Sequence, residues 1–152
     1  VLSSCNIEVV PFQFRQLIYN LISNSVKYSK SDVPPVIKIE CATIVGSDGD
    51  NQLLVAGKSY AKITITDNGI GFDKQFSEKI FEVFQRLHSK QEYLGTGVGL
   101  AIVKKIVQNH NGFISAHGES GKGAVFQIIM YNERIIKVLC MLVISIKIAK
   151  IG

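Results

Sequence analysis

The stretch RQLIYNLISNSVKYS, residues 15–29, has apolar residues at the spacing of one face of an α-helix. Asn20, Asn24 and Lys27 fall within about 60° of one another on that helix and form a polar stripe. Buried amides without partners are costly, so the stripe requires a polar partner. An amide oxygen is a suitable ligand for Mg²⁺, and a nearby Lys can neutralise a phosphate. Tyr28 lies beside the stripe and could cover a base or a ribose. The alternative is a ladder of amides that neighbouring backbone groups satisfy.

Two glycine-rich stretches follow along the chain. DNGIG, residues 67–71, ends an alternating strand. The carboxylate of Asp67 can accept a hydrogen bond from an exocyclic amine such as that of adenine, and glycines let the backbone approach a flat ligand closely. GTGVGL, residues 95–100, opens a helix, so its N–H groups suit a polyphosphate. An ordinary Asx turn and a flexible hinge are the respective alternatives. The second stretch fits neither a Rossmann nor a Walker motif.

The remaining segments favour an α+β fold. Apolar residues alternate with polar ones over some segments, which predicts strands, and recur at helical spacing over others. The predicted strands are 36–44, 60–66, 113–117 and 124–130, and the predicted helices are 12–28, 77–84 and 98–110. Strands of antiparallel type with a few helices are typical of a two-layer α/β sandwich.

Composition restricts the possible functions. The chain has 152 residues, enough for one domain, and 47% of them are hydrophobic. The net charge of +5 suits a polyanionic ligand, but the Lys and Arg residues are scattered, so no nucleic-acid partner is predicted. The three cysteines and three histidines show no disulfide framework, metal spacing or nucleophile constellation. We therefore expect a reducing, cytoplasmic location, for a parent protein that could be membrane-anchored.

The end of the chain is apolar and differs from the rest. We expect one domain over residues 1–133, truncated at its N-terminus, and a tail over 134–152 whose role the sequence leaves open. The uninterrupted apolar run 138–146 has nine residues, about half of what a membrane-spanning helix needs. No membrane span is predicted. The tail is expected to be a strand or helix that packs on a partner segment, or an extension, and a membrane-surface role is less favoured.

The order of these motifs resembles the ATP-binding domain of histidine kinases, within the wider group that includes gyrase and heat-shock chaperone ATPases. The resemblance covers residues 8–130. Its motifs are an N box at 15–29, a first glycine box at 67–72, a phenylalanine box at 80–88, a second glycine box at 95–107 and a closing hairpin at 119–128. It implies the same two-layer sandwich, with a mixed sheet and helices on one face. Residues between 72 and 96 would form a mobile lid that Phe81 and Phe84 anchor.

The resemblance also implies a role for each site residue. Asn24 would ligate Mg²⁺, and Asn20 would support the site through water. Lys27 would face the phosphates, Arg86 would be available to one of them, and the catalytic roles would fall to these two residues and Asn20. Asp67 would read the adenine amine. The remaining implied ATP-binding residues are Tyr28, Gly69, Gly71, Gly95, Thr96, Gly97, Val98, Gly99 and Leu100.

The activity implied by the resemblance is phosphoryl transfer. ATP hydrolases of the group carry a general-base Glu where this chain has Asn20, and an amide cannot take a proton from water. Transfer to a protein group is therefore favoured over hydrolysis. The chain would be the ATP-binding module of a two-component sensor histidine kinase. Its partners would be a His-bearing helical-hairpin dimerisation domain and a response-regulator receiver domain. The alternatives are a nucleotide-binding regulatory module and an anti-sigma-type Ser kinase.

Overall fold

The computed structural model describes residues 7–47, 54–83, 97–131 and 144–147. Its helices and strands are α1 (Pro11–Lys27), β1 (Val36–Val45), β2 (Ser59–Asp67), α2 (Gly99–Asn109), β3 (Phe113–Glu119), β4 (Gly123–Tyr131) and β5 (Ile144–Lys147). The predicted strands and the two longer helices are confirmed to within two residues at each end. The short helical piece predicted at 77–84 is a 3-10 turn, Lys79–Phe81, and not an α-helix; a second 3-10 turn, Lys74–Phe76, precedes the stretch, and residue 84 lies outside the described residues.

Helix α1 begins at a proline and turns one face into the core. Pro11 occupies the first turn, where its missing N–H has no intrahelical partner to lose. Leu17, Leu21 and Ser25 are its buried residues, each four positions from the next. This spacing places them on one face and leaves Asn20 and Asn24 at the border of that face.

The five described strands form one sheet in the order β3-β4-β2-β1-β5, and every neighbouring pair is antiparallel. The α+β sandwich is confirmed, but the expected mixed sheet is wrong for the described strands. The cause is the connection after β2. The chain passes through α2 to β3, which lies two positions from β2, and a hairpin then brings β4 into the gap. β2 and β3 therefore run parallel without pairing.

One hydrophobic core unites the sheet with both helices. Buried residues alternate along the strands, as Ile63 and Ile65 do in β2, and lie one turn apart in α2, as Val103 and Val107 do. Burial of one such side chain contributes about 1.5–3 kcal/mol. The largest fully buried side chains are Leu17, Leu21, Ile37, Ile65, Val103, Val107, Ile128 and Met130. Because both helices contribute to this core, their rotation relative to the sheet is fixed.

A histidine joins the start of α1 to the end of α2. The backbone N–H of Val10 donates to Nε2 of His110 at 2.9 Å, and Nδ1 of His110 lies 2.7 Å from the carbonyl oxygen of Ile106. Since Nε2 accepts, Nδ1 carries the proton and donates to Ile106. The two helices are thus antiparallel neighbours, which brings the middle of α1 beside the beginning of α2.

The apolar tail contributes a strand to the edge of the sheet. Residues 144–147 form β5, which pairs with β1 in a register that sets Ile39 opposite Ile144. The rest of the tail lies outside the described residues. No helix in the described part of the chain combines the length and the hydropathy needed to cross a membrane.

Cys41, on β1, corrects one expectation from the sequence. It is disulfide-bonded. The wide spacing of the three cysteines predicts no disulfide framework, but sequence separation does not determine how far apart two residues lie in the folded chain. The cysteines therefore no longer indicate a reducing compartment.

Candidate functional site

A pocket opens where the C-terminal half of α1, the turn after β2, the start of α2 and the start of β4 meet. It is lined by Asn24, Ser25, Tyr28, Asp67, Gly71, Phe72, Ile80, Leu100, Ala124 and Phe126. The empty space within it is about 610 Å³, a figure that includes space open to solvent. Most of the lining is apolar, with a few polar groups on the α1 side.

The carboxylate of Asp67 is held by donors from three parts of the fold. Oδ1 accepts the N–H of Gly69 at 2.9 Å and the N–H of Ala124 at 3.2 Å. Oδ2 accepts the hydroxyl of Ser25, on α1, at 2.9 Å. A carboxylate has about four lone-pair sites, so Oδ2 retains capacity for one more donor from the pocket.

The first glycine turn needs glycines because backbone packs directly against it. The N–H of Ile70 donates to the carbonyl of Tyr28 at 2.9 Å, and a Cβ added at Gly69 would lie 2.5 Å from that same oxygen. Gly71 has φ +66°, and a Cβ there would lie 2.1 Å from the carbonyl oxygen of Glu119. The turn is thus wedged between the end of α1 and the hairpin that joins β3 to β4.

The second glycine turn is tied to α1 by Asn20. Its Nδ2 donates to the carbonyl oxygen of Gly99 at 3.3 Å, and its Oδ1 accepts from Gln16 at 3.3 Å. Gly97 has φ +71°, a conformation that glycine adopts at little cost. Asn20 therefore joins the amide stripe of α1 to the start of α2, and it does not itself line the pocket.

The rest of the polar stripe has two different environments. Asn24 lines the pocket and is partly buried, and its side-chain amide makes no hydrogen bond within the described residues. The ammonium of Lys27 lies 4.8 Å from the centroid of the Tyr28 ring, in a cation–π contact. Asn24 is thus the member of the stripe whose amide remains available to a ligand.

Aromatic and aliphatic side chains close the opposite side of the pocket. Phe72 and Phe126 are lining residues. Phe81, on the second 3-10 turn, is buried and packs edge-to-face on Phe126 with ring centroids 6.5 Å apart. The predicted anchoring of this segment by Phe81 agrees with that contact, whereas Phe84 lies outside the described residues.

Of the eleven predicted site residues that the structure describes, five line the pocket itself. Asn24, Tyr28, Asp67, Gly71 and Leu100 line it. The predicted residues that do not line it are Asn20, Lys27, Gly69, Gly97, Val98 and Gly99. Those outside the described residues are Arg86, Gly95 and Thr96.

Sequence reasoning missed five lining residues, which are Ser25, Phe72, Ile80, Ala124 and Phe126. Ala124 and Phe126 enter through the pairing of β2 with β4, which sets Asp67 opposite Ala124 and which no local pattern reveals. Ser25 did leave a signal, because a serine four residues after Leu21 interrupts a buried apolar row. A buried hydroxyl requires a partner.

The fold is an antiparallel sheet that packs against two helices. Its pocket is lined by the hydrogen-bonded carboxylate of Asp67, the amide of Asn24 and the first glycine turn. Together they define an α/β-sandwich nucleotide-binding domain. Residues 10–134 match the family described as histidine kinase-, DNA gyrase B- and HSP90-like ATPases. The chain belongs to this family, and the resemblance noted from its motifs is confirmed.

Two relatives agree with that assignment, and one solved structure has a similar fold. Phytochrome-like protein Cph1 of Synechocystis sp. is 43% identical over 114 residues, which are 75% of this chain and 13% of that protein. Sensor histidine kinase TmoS of Ectopseudomonas mendocina is 34% identical over 118 residues, 76% of this chain and 11% of that protein. The chain thus spans 11–13% of the length of these relatives. The fold is similar to that of the mycobacterial sensor histidine kinase MprB, with a TM-score of 0.57, 23% identity, and coverage of 80% of this chain and 72% of that one.

Proposed function

We propose that this chain is the ATP-binding catalytic module of a two-component sensor histidine kinase, and that it delivers the γ-phosphoryl group of ATP to a His on a separate domain. The observation that carries the proposal is the shared pocket of Asn24, Asp67 and Leu100. Each comes from a different motif, and the three are far apart in sequence. The pocket combines an acceptor for a base, an amide for a metal and a helix N-terminus for phosphate.

Adenine would bind at the Asp67 side of the pocket. The free capacity of Oδ2 suits the exocyclic amine of adenine, which is a donor at the position where guanine has an acceptor. The apolar lining from Phe72, Leu100 and Phe126 suits a flat ring. Gly71 also lines the pocket, and its lack of a side chain is required by the carbonyl oxygens of Glu119 and Gly123, which pack against it.

Mg²⁺ would be held at the Asn24 side. An amide oxygen is a suitable hard ligand, and the Asn24 amide has no hydrogen bond within the described residues. No group of three His, Cys, Asp or Glu suited to a metal occurs in the described residues. A single amide fits a magnesium ion that the nucleotide phosphates and water also coordinate. When bound, the ion neutralises phosphate charge.

The triphosphate would lie along the second glycine turn. Helix α2 begins at Gly99, so the first N–H groups of that helix have no intrahelical acceptor and favour an anion. We assign the phosphate contacts to the stretch 95–100, with Lys27 and Arg86 supplying positive charge. The contact of Asn20 with the carbonyl of Gly99 positions this turn.

Transfer rather than hydrolysis is favoured by the chemistry of the lining. Asp67 is the one acid among the described lining residues, and its carboxylate already accepts three hydrogen bonds. Asn20 cannot serve as a general base and is engaged with Gln16 and Gly99. Since the described lining residues offer no free base to activate water, positioning and charge neutralisation would serve an acceptor that another domain brings.

The partners follow from that reaction. We infer a His-bearing helical-hairpin dimerisation domain as the phosphoacceptor and a response-regulator receiver domain as the next recipient. The relatives are much longer than this chain, which is consistent with a module of a larger kinase. A module that uses Mg-ATP would act in the cytoplasm. The division into a domain over 1–133 and a tail over 134–152 remains part of the proposal.

The first test is a calorimetric titration with Mg-ATP. Asn24→Ala should weaken magnesium-dependent binding by roughly 1–3 kcal/mol, because a polar partner is lost from the site. Asn109→Ala is the matched control, since Asn109 is an exposed amide on α2 that bonds to Gln13 away from the pocket. Equal, metal-independent affinities for wild type and Asn24→Ala would count against the magnesium role.

The second test concerns the acceptor. The chain is incubated with Mg-ATP and the helical hairpin of its parent kinase, and the hairpin is assayed for phosphate. Acid-labile phosphate is expected, as for phosphohistidine. Acid-stable phosphate on a serine would assign the chain to Ser kinases instead. Binding of ATP without transfer to any hairpin His would indicate a regulatory module.

A further inference from the structure

Ser25 places a hydroxyl at a buried helix position, where the hydroxyl requires a hydrogen-bond partner. It continues the buried row of Leu17 and Leu21 on α1, and it is 3% exposed. Among the described polar and charged side chains it is the one that is buried. Burial of a hydroxyl is unfavourable without a hydrogen bond, and Ser25 directs its hydrogen bond to Asp67.

We infer that Ser25 is a positioning residue for base recognition, which acts by fixing Oδ2 of Asp67. The inference rests on the proposed function, in which Asp67 accepts the adenine amine. Both backbone donors, the N–H groups of Gly69 and Ala124, bind Oδ1. The hydroxyl of Ser25 is the contact that holds Oδ2.

Because the backbone donors bind Oδ1 and Ser25 binds Oδ2, removal of the Ser25 hydroxyl changes how firmly the carboxylate is oriented. Rotation about the Cβ–Cγ bond of an aspartate is broad and weakly restricted. Rotation about this bond moves both oxygens together, so the two N–H groups on Oδ1 restrict it only as far as their own distances and angles tolerate. The hydroxyl of Ser25 holds the other oxygen and narrows the remaining range, and an acceptor with a narrower range binds its donor with less loss of freedom.

The test separates this role from a structural one by means of the base amine. Dissociation constants are measured with Mg²⁺ for ATP and for purine ribonucleoside triphosphate, which lacks the 6-amino group. The variants are wild type, Ser25→Ala and Ser23→Ala, the last being an exposed serine on the same helix. Unfolding by urea is measured for each.

Wild type and Ser23→Ala should both prefer ATP by on the order of tenfold, the value of a good hydrogen bond to a charged group. For Ser25→Ala this preference should shrink about fivefold, with the affinity for the amine-free nucleotide unchanged. If Ser25→Ala does not fold, Ser25→Cys replaces it, because a thiol is similar in size and only a weak donor. The same loss of preference is then expected.

Two results would overturn the inference, and one of them would also overturn the proposed adenine contact of Asp67. If wild type prefers ATP and the Ser25 variants keep that preference in full, Ser25 does not position Asp67, and the proposed function stands. If wild type binds both nucleotides equally, the carboxylate does not read the amine, and the adenine part of the proposed function falls together with this inference.

Discussion

Replacement of Asp67 by Asn should change the base preference of the pocket while it spares the fold. Oδ1 accepts two backbone N–H groups, from Gly69 and Ala124, so the oxygen of the new amide must take this place. The amide nitrogen then occupies the place of Oδ2. The hydroxyl of Ser25 can reverse its role and accept, because a hydroxyl both donates and accepts. Every protein contact of the carboxylate is therefore replaced one for one.

For the bound nucleotide, in contrast, the substitution would remove a hydrogen-bond acceptor. An acceptor that faced the adenine amine becomes a donor, and two donors then face each other. A hydrogen bond to a charged group contributes about 1.5–3 kcal/mol, so the affinity for ATP should fall by about 10-fold to 150-fold. Guanine presents an acceptor at the same position, so GTP should lose little or gain. The free energy of unfolding without ligand should change by less than about 1 kcal/mol.

Calorimetry with ATP and GTP in the presence of Mg²⁺, combined with urea unfolding, measures both quantities. Asp73→Asn is the matched control, since Asp73 is exposed and its carboxylate caps the N–H of Gln75 outside the pocket. An unchanged ratio of ATP to GTP affinity in a folded Asp67→Asn protein would show that this carboxylate does not read the base. A loss of several kcal/mol in stability would instead refute the one-for-one replacement of its contacts.

Two further predictions concern parts of the fold that position the pocket. Gly71→Ala should lower the free energy of unfolding in urea by more than about 2 kcal/mol, because left-handed backbone disfavours a side chain and the new Cβ meets a carbonyl oxygen at 2.1 Å. The control is Gly57→Ala, since Gly57 has φ +75° and open space around it. This control should show the backbone cost alone in the same assay. His110→Ala removes the acceptor of the Val10 N–H and should cost about 1 kcal/mol in thermal unfolding without changing the affinity for Mg-ATP; an equal cost for the exposed His117→Ala would mean that the link between the helices stabilises nothing.

The local elements of this fold could be predicted from the sequence, and their arrangement could not. Alternation in β1 and β2 and helical spacing in α1 and α2 are properties of single segments, so the predicted bounds of these four elements lie within two residues of the observed ones. The stretch 77–84 has apolar residues at helical spacing too, yet its described part contains one short 3-10 turn and no α-helix. The insertion of β4 between β3 and β2 depends on contacts far apart in the chain, which no local pattern encodes.

The candidate site shows the same division. Asn24 and Asp67 can be recognised in the sequence because each is a polar side chain on a regular element, α1 and β2 respectively. Both line the pocket. The environment of that chemistry was not predictable, since the pairing of β2 with β4 decides which backbone donor reaches Asp67. Ser25 was overlooked because it differs from an ordinary core residue by one hydroxyl, whose significance depends on the carboxylate across from it.

Helix α1 controls both ends of the pocket, which explains why its polar side chains lie at the edge of a buried face. Asn20 holds the second glycine turn through the carbonyl of Gly99, and Tyr28 holds the first through the N–H of Ile70. These two attachments are eight residues apart, about 12 Å along a rigid helix. Because the buried row of α1 fixes its rotation, the two glycine turns keep a constant separation. In the proposed reaction, where positioning supplies most of the catalysis, this rigidity would let the pocket align ATP for a His that another domain brings.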